Sequence, residues 1–405
     1  MKNMILVRIA VTLFFVLSAV RGEVAEPAKK KLQVFILSGQ SNMVGHSYYI
    51  TIPTLLTAKE PEVRDLAKLV FKKDAKISRA VIEDLIATRM KCDELKKGLR
   101  KKEIEAAAYE AVQAEIKKLQ AQVDDKMQRI KDTFVVSKQV YITSIADGNR
   151  GSGPLSVGYG GNSDKIGPEF GFGLTMAQKM DAPILIIKTS WGGKSLNYNF
   201  RPPSAGPYEL NEKEQAAKKA PDIKKNASLN WRMMNEAVHS VLKDLKKYHP
   251  AYDASVGYDI AGFVWFQGFN DQFSDEFRDN YRDNMVHFVK DVRKEYRTPN
   301  MPFVIGVLGT NMTKEGVDKN AVSVAQREAA AAPEFKGNVA SVESYKVYDL
   351  EARKVYDSGW AKHFAEWCVV GSDRPYHYLG SGKFFVRLGD AFAKSMIDLI
   401  QKQHP

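Results

Sequence analysis

A chain of 405 residues that is 44% hydrophobic and 10% aromatic can bury a sizeable core, so its composition excludes a disordered protein. The net charge of +12 suggests weak attraction to polyanions such as acidic glycans, although a solvated basic surface explains it more simply. We expect no nucleic-acid partner, because no zinc-finger spacing, RNA-binding signature or base-reading helix accompanies the charge.

Residues 1–22 have the pattern of a secretory signal peptide. Basic residues precede an apolar run over residues 9–20, and Gly22 or Ala25 offers a small residue for cleavage. The run is too short to span a membrane comfortably, so we expect no integral membrane segment in the mature chain. The pattern predicts export, to the periplasm or beyond. Cleavage removes three basic residues and no acidic ones, which lowers the net charge from +12 to +9.

The first predicted strand is the apolar run Val34–Leu37, which suits a parallel strand buried on both faces. Small and polar residues over 38–42 then break the strand. In an open α/β sheet, ligands bind beyond the carboxyl ends of the strands, so Ser41 stands where a nucleophile would be useful. An ordinary Ser/Asn turn after a strand explains the same residues.

Residues 59–132 form a block rich in Lys, Glu, Asp, Gln and Ala. Apolar residues recur at helical spacing over 81–90 and again over 112–130, with a break over 96–102, around Gly98. The block therefore predicts a coiled-coil-like helical hairpin, self-contained enough that a folded enzyme should remain without it. Its balanced charges favour a solvated packing or assembly element, with self-association, substrate contact and partner binding as candidate roles.

Strands and helices alternate through the rest of the chain, with residues 146–164 read as a long loop. The predicted strands lie at 134–145, 182–188, 261–266, 302–308 and 338–342, and the predicted helices at 170–180, 231–248, 276–296, 321–331 and 383–401. Parallel strands require such crossovers. The pattern predicts a single α/β domain over 31–403, a doubly wound and mainly parallel sheet with the helical hairpin inserted.

Five motifs in this order resemble the SGNH (GDSL-like) hydrolases, and within them the carbohydrate acetylesterases that include sialate O-acetylesterases and acetylxylan esterases. The motifs are GQSNM (39–43), GPEFGFG (167–173), KTSWGGKSL (188–196), WFQGFND (265–271) and YHYLGSGKFF (376–385). The resemblance implies a flavodoxin-like three-layer fold and an acyl-transfer site.

The resemblance assigns Ser41 as the nucleophile and His377 as its base. It also implies oxyanion donors at the Asn270 side chain and at a glycine N–H, for which Gly193 is preferred to Gly192. Five polar residues near these motifs are predicted to bind substrate: Gln40, Asn42, Gln267, Lys194 and Arg201. The first three could instead orient catalytic groups, and the last two could be ordinary surface residues.

The residue that orients His377 is the open point. Many members of the family carry Asp three residues before the histidine, where this chain has Arg374. Asp373, one residue earlier, is the preferred acid and Asp271 the alternative, with Glu169 third and a backbone carbonyl or water after it. Many acetylesterases of this branch carry Glu in a QGE motif, and Phe269 stands in its place.

No HExxH, paired CxxC or Asp-rich calcium loop is present, and no GxGxxG follows a strand, so we expect neither a metal nor a cofactor. The resemblance therefore predicts an exported serine esterase that removes O-acetyl groups from a poly- or oligosaccharide. A GDSL-like esterase acting on acyl lipids is the first alternative. A non-catalytic glycan-binding or assembly protein on a hydrolase fold is the second.

Overall fold

A seven-stranded sheet organises the chain in a computed structural model that describes residues 29–147, 149–217 and 222–403. The order across the sheet is β4-β3-β6-β1-β7-β8-β9, and β2 and β5 pair in a separate ribbon. The strands are β1 (Leu32–Gly39), β2 (Ser47–Tyr48), β3 (Val140–Ala146), β4 (Arg150–Pro154), β5 (Lys165–Ile166), β6 (Ile184–Ser190), β7 (Tyr258–Phe266), β8 (Phe303–Val307) and β9 (Val339–Glu343). Only the β3–β4 pair of the large sheet is antiparallel. The predicted fold class, a doubly wound and mainly parallel α/β sheet, is confirmed.

Helices cover both faces of this sheet. They are α1 (Ser41–Val44), α2 (Pro61–Val70), α3 (Arg79–Arg100), α4 (Tyr109–Lys131), α5 (Glu169–Lys179), α6 (Glu212–Gln215), α7 (Ile223–Asn226), α8 (Leu229–Leu242), α9 (Leu245–Tyr248), α10 (Asp275–Asp279), α11 (Tyr281–Glu295), α12 (Lys314–Asp318), α13 (Ala321–Ala330), α14 (Leu350–Asp357), α15 (Phe364–Val370) and α16 (Gly382–Gln403). None of these helices is long and apolar enough to cross a membrane. The predicted signal peptide, residues 1–22, lies outside the described residues.

Alternate residues of β1 build the two sides of the core, because successive side chains of a strand point to opposite faces. Phe35 and Leu37 belong to the apolar cluster that contains residues of α5 and α16. Val34 and Ile36 belong to a second cluster with residues of α8, α11 and α13. A strand covered on both faces needs apolar residues throughout, which is why Val34–Leu37 has no polar alternation.

The predicted loop 146–164 contains an edge strand, which corrects the sequence interpretation. Residues of β4 pair antiparallel with β3 through their backbones, from Tyr141 opposite Pro154 to Ile145 opposite Arg150. The sequence RGSGP of β4 has neither β-branched nor aromatic residues, so no side-chain pattern announces it.

The block 59–132 holds three helices rather than a detached hairpin. Helix α2 packs separately on the body, and only α3 and α4 form the hairpin. Gly98 lies inside α3, which ends at Arg100, so the chain turns over 101–108, slightly later than the predicted break at 96–102. Apolar residues from all three helices belong to the same buried cluster as Phe35: Val63, Ala67, Val70, Ile82, Leu85, Ile86, Val123 and Ile130. The block therefore completes the core, against the expectation that it is self-contained. Self-association through the hairpin stays a prediction.

The strand order places the candidate functional site at the carboxyl ends of the central strands. Strand β1 lies between β6 and β7, and it is parallel to both. The carboxyl ends of these three strands therefore meet at the point where the winding reverses, which is where open α/β sheets bind ligands.

Candidate active site

The turn after β1 presents Ser41 and buries its neighbours. The chain leaves the strand at Gly39, where a β-carbon would lie 2.1 Å from the carbonyl oxygen of Phe266, so no larger residue fits there. The single helical turn α1 follows, in which Asn42, Met43 and Val44 are buried. Ser41 is half-buried and is the residue of α1 that remains open to solvent.

A buried ion pair supports this turn from below. The Lys188 ammonium donates hydrogen bonds to Glu169 Oε2 (2.8 Å) and to the Val44 carbonyl oxygen (2.8 Å) at the end of α1. Both charged side chains are fully buried. Glu169 is thus committed to Lys188 beneath the turn, which leaves it no part in orienting His377.

Asn270 lies at the carboxyl end of β7, and Gln40 fixes its orientation. The Gln40 Nε2 group donates to Asn270 Oδ1 at 3.1 Å, while Gln40 Oε1 accepts the Gly268 N–H at 3.0 Å. Because the amide oxygen of Asn270 is occupied, its Nδ2 group is left to donate elsewhere. Gln40 is 1% exposed, so it can orient Asn270 but offers no surface to a sugar.

The glycines after β6 differ in their distance from Ser41. A β-carbon added to Gly192 would lie 3.9 Å from the β-carbon of Ser41, whereas one added to Gly193 meets nothing within 4 Å. Gly192 therefore lies nearer to Ser41 than Gly193 does. The Gly192 N–H donates to Asp147 Oδ2 at 2.6 Å, and Asp147 is an exposed residue of the loop after β3.

The loop that carries His377 has a constrained backbone. Tyr378 and Leu379 both have positive φ values, 49° and 63°, although neither is a glycine. Such conformations each cost about 1–3 kcal/mol and persist only where the surroundings hold them. Tyr378 is buried and stacked on Phe384 at 4.0 Å, and the Ser372 and Asp373 N–H groups donate to the Leu379 carbonyl oxygen.

This folded-back loop brings Asp373 beside His377. The Nδ1 atom of His377 lies 3.2 Å from Asp373 Oδ1. This contact does not meet strict hydrogen-bond geometry, and catalytic contacts of this kind commonly tighten in the complex with substrate. The Asn42 side chain donates to the Tyr376 carbonyl oxygen at 3.1 Å, which ties the nucleophile turn to this loop.

A second histidine shares the same carboxylate. His46 stacks face to face on His377, with 4.1 Å between ring centroids and 3° between ring planes. Its Nδ1 atom is 3.6 Å from Asp373 Oδ2. His46 lies in the loop after α1, and the sequence predicts an active-site loop over 46–54 without a motif that gives His46 itself a role.

The charges around this trio shift two of its pKa values. Burial, then the charges of His377 and Lys165, lower the pKa of His46 from 6.5 to about 4, although Asp373 opposes the shift. Burial acts to raise the pKa of Asp373, but the His377 contact, the Arg374 N–H and the two imidazoles outweigh it and lower this pKa. Asp373 is therefore an anion, and His46 is neutral at pH 7.

The trio has the spacing of a metal site but not the geometry. His46, Asp373 and His377 each place a potential ligand atom within 4.8 Å of the others. Histidine binds a metal through a lone pair in the plane of its ring, at about 2.0–2.1 Å for zinc. One ion cannot lie in the planes of two stacked parallel rings, so this arrangement of the rings does not suit a shared metal.

Asp271, the alternative acid, is committed elsewhere. It is fully buried and accepts hydrogen bonds from the Leu196 and Asn197 N–H groups and from Gln267 Nε2. The Gln267 amide also donates to the Lys194 carbonyl oxygen. Asp271 and Gln267 thus brace the loop after β6 from within, and neither is placed to orient His377 or to meet a substrate.

The two predicted cationic contacts also differ from expectation. The donors of the Arg201 guanidinium are occupied within its own loop, where they bind the Gly206, Ala205 and Asn197 carbonyl oxygens. It is therefore not free to hold an acidic substrate, which corrects that prediction. Lys194 is half-buried, and its contact with substrate stays a prediction.

Solved structures similar to this chain have low sequence identity to it. They include a protein from Arabidopsis thaliana (14% identity, TM-score 0.43, covering 90% of this chain and 97% of that one). Another is a carbohydrate acetylesterase from Xanthomonas citri (12%, TM-score 0.36, 78% and 51%), and a third is NanS (10%, TM-score 0.38, 78% and 79%). No curated protein matches the sequence.

A family model described as "carbohydrate esterase, sialic acid-specific acetylesterase" matches residues 149–354, just over half of the chain. The matched stretch contains Gly192 and Asn270, while Ser41, Asp373 and His377 lie outside it. The chain therefore belongs to this family of carbohydrate esterases, and it is a carboxylic ester hydrolase.

Proposed function

We propose that the protein is an exported serine esterase that removes O-acetyl groups from a poly- or oligosaccharide. The observation that supports this best is that the Ser41 turn contacts the segments of the other three groups: Gly192 lies beside Ser41, Gln40 binds Asn270, and Asn42 binds the loop of His377. Ser41 follows β1, Gly192 follows β6, Asn270 follows β7, and His377 lies on the loop before α16. We assign the esterase domain to residues 31–403, with 59–132 inserted in it.

In the first half of the proposed reaction, Ser41 Oγ attacks the carbonyl carbon of the acetyl ester. His377 accepts the hydroxyl proton at Nε2, because its Nδ1 atom faces Asp373. The Asp373 carboxylate then stabilises the imidazolium and fixes the ring. The carbonyl oxygen becomes an anion, which the Asn270 Nδ2 group and the N–H groups of Ser41 and Gly192 can stabilise.

Collapse of this intermediate breaks the bond between the acetyl carbon and the sugar oxygen. The His377 imidazolium returns its proton to that oxygen, so the sugar leaves as an alcohol and acetyl-Ser41 remains. Water, deprotonated by His377, then attacks the acetyl carbon, and the bond to Ser41 Oγ breaks. Acetate leaves, and the serine recovers its proton.

The test is the Ser41→Ala variant, assayed for acetate release from acetylated polysaccharide and from p-nitrophenyl acetate. Loss of the nucleophile should lower kcat by at least about 10³-fold while circular dichroism stays normal. Ser255→Ala is the matched control, because Ser255 is exposed and precedes the amino end of β7, opposite the site. Substantial hydrolysis by folded Ser41→Ala would overturn the proposal.

Export is the part of this proposal that rests on residues 1–22. Expression of the full chain should place activity outside the cytoplasm, and removal of residues 1–22 should retain that activity inside the cell. Equal distribution of both forms would contradict export without touching the esterase assignment.

A further inference from the structure

Three aromatic side chains form a continuous surface beside the candidate active site, which we call the aromatic ledge: Phe269, Phe273 and Tyr376. Ring centroids of Phe269 and Phe273 are 5.2 Å apart, and those of Phe269 and Tyr376 are 5.9 Å apart. Phe269 and Phe273 come from the segment after β7, and Tyr376 comes from the loop before α16. The ledge therefore spans the two segments that carry Asn270 and His377.

The ledge is unusually open to solvent for its composition. Phe273 is 68% exposed and Tyr376 is 45% exposed. Within the described part of the chain, Phe273 is the most exposed of the large apolar side chains. Single exposed apolar residues are common on protein surfaces, but these two exposed aromatics flank the half-buried Phe269, and contiguous apolar patches mark interaction sites.

The ledge begins at the reacting groups. The Tyr376 ring contacts the His377 ring edge to face, with 4.5 Å between centroids. Phe269 directly precedes Asn270 in the chain, and the Asn42 side chain holds the Tyr376 carbonyl oxygen at 3.1 Å. A sugar ring whose acetyl group reaches Ser41 is therefore large enough to extend onto these rings.

We propose that the aromatic ledge is a subsite for a pyranose ring of the substrate, with the apolar C–H face of the sugar stacked on Phe273, whose ring stands at 77° to that of Phe269. This inference rests on the proposed function and specifies how its substrate is held. The face of an aromatic ring carries partial negative charge and attracts C–H groups. The hydroxyl groups around the rim of the sugar stay hydrated, because the ledge covers one face only.

A one-sided ledge suits a sugar better than a long acyl chain. A long acyl chain binds tightly only when most of its apolar surface is buried from water, which requires a groove. Phe269 stands where many acetylesterases of this branch carry Glu. Here the position contributes the middle ring of the ledge, and Gln40 is the side chain that orients Asn270.

The experiment compares Phe273→Ala, Phe273→Trp and wild type on two acetate esters. One is the O-acetylated oligosaccharide, from xylan-, mannan- or sialoside-derived sets, that wild type cleaves fastest. The other is ethyl acetate, which carries the same acyl group without a ring. Tyr258→Ala is the control, because Tyr258 is an exposed aromatic at the amino end of β7, opposite the site.

We expect Phe273→Ala to lower kcat/KM for the oligosaccharide about tenfold, mainly through KM, since one aromatic contact contributes on that scale. The activity of Phe273→Ala on ethyl acetate should not change. Phe273→Trp, which keeps an aromatic ring, should hydrolyse the oligosaccharide at a rate near that of wild type. Unchanged oligosaccharide hydrolysis by Phe273→Ala would overturn the inference. So would an equal loss on both esters, or wild type that cleaves ethyl acetate but no oligosaccharide.

These outcomes separate the ledge from the proposed function. If Ser41→Ala abolishes hydrolysis of both esters while Phe273→Ala changes neither, the serine mechanism stands and the ledge fails. If Ser41→Ala retains activity, the proposed function itself fails, whatever the Phe273 variants do.

Discussion

The imidazole rings of His46 and His377 lie face to face at 4.1 Å, and both face the carboxylate of Asp373. Two residues therefore restrict the orientation of the His377 ring. Asp373 lies against Nδ1, and His46 covers one face of the ring. A base on a loop needs such support, because a misplacement of about 1 Å can cost about 10²-fold in rate.

Removal of the His46 ring should therefore lower kcat. We expect His46→Ala to lower it roughly 10-fold to 100-fold with little change in KM, because His377 loses the surface that fixes its plane. His46→Phe should recover most of the rate, since a flat ring can stack there without a charge. Steady-state kinetics of both variants test this, with His239→Ala, a partly exposed histidine on α8, as control. An effect on KM alone would show that His46 contacts substrate instead.

His46 should also make the protein less stable in acid. Its pKa is about 4 in the folded protein and 6.5 in the unfolded chain. Between these values the unfolded chain binds a proton that the folded chain does not, so the free energy of unfolding rises with pH across this window. Lowering the pH from 6.5 to 4 should cost roughly 2–4 kcal/mol at this one site.

Asp271 contributes with the opposite sign. Burial raises its pKa from 3.8 to about 6, although hydrogen bonds from Gln267, Asn197 and Leu196 oppose the shift. Its contribution to stability is therefore lost as the pH rises through the same range. The measurement is accordingly a difference: urea unfolding of wild type and His46→Phe at pH 4.5, 5.5 and 6.5. The variant should lose less stability on acidification, and equal slopes would contradict the assignment to His46.

The two candidate acids should respond differently to neutralisation. Asp373→Asn should lower kcat by about 10⁴-fold, the scale expected when the acid of a serine triad is lost. Asp271→Asn should leave kcat near normal but destabilise the protein by about 1–3 kcal/mol, because buried N–H groups lose a charged acceptor. Kinetics and chemical unfolding of both variants distinguish the roles. A large fall in kcat for Asp271→Asn, with a nearly normal kcat for Asp373→Asn, would show that the acid is misassigned.

The sequence is most informative where a single stretch carries the whole signal. The buried runs of β1, β6 and β7 are apolar throughout, and each ends in small or polar residues, so both the strands and the functional edge are predictable. Asp373 is also within reach of prediction, because it shares a short loop with His377.

Contacts between distant segments are not predictable in this way. Asp147 meets Gly192, and His46 meets His377, only after the sheet has assembled. Gly98 misleads for a related reason: one glycine costs a helix about 1 kcal/mol, which the packing of α3 against α4 outweighs. The Arg201 guanidinium donates to carbonyl oxygens of its own loop, and the conformation of that loop cannot be predicted from hydrophobic periodicity.

Two deletions should distinguish the role of the hairpin tip from the role of its base. Cys92 Sγ lies 3.8 Å from the Ile116 carbonyl oxygen, so a linker of about four Gly/Ser residues can replace residues 93–115. We expect this variant to fold and to hydrolyse p-nitrophenyl acetate. Replacement of the whole block 59–132 should unfold the protein, because each large apolar residue it removes from the core contributes about 2–5 kcal/mol.

Circular dichroism and acetate release from both deletion variants check this prediction. If the short deletion folds but loses only its activity on polysaccharide, the tip contacts substrate. A folded, active variant without residues 59–132 would show that the base of the hairpin is not part of the core.

Asp147 occupies a donor that the reaction needs. Its carboxylate accepts the Gly192 N–H at 2.6 Å, beside Ser41. If Gly192 stabilises the oxyanion, that hydrogen bond must break before the transition state, and a nearby carboxylate also repels the developing negative charge. A hydrogen bond to a charged group contributes about 1.5–3 kcal/mol, and less at an exposed position such as this.

Asp147→Ala should therefore raise kcat by roughly threefold to tenfold, and Asp147→Asn, which keeps an acceptor without the charge, should raise it less. Burst kinetics of the acetyl-enzyme locate the effect in the acylation step. Asp181→Ala is the control, because Asp181 is exposed and precedes the opposite end of β6. A fall in kcat for both Asp147 variants would mean that the carboxylate holds the Gly192 turn in its working shape. An unchanged kcat would point to Gly193 as the donor, because its N–H does not depend on Asp147.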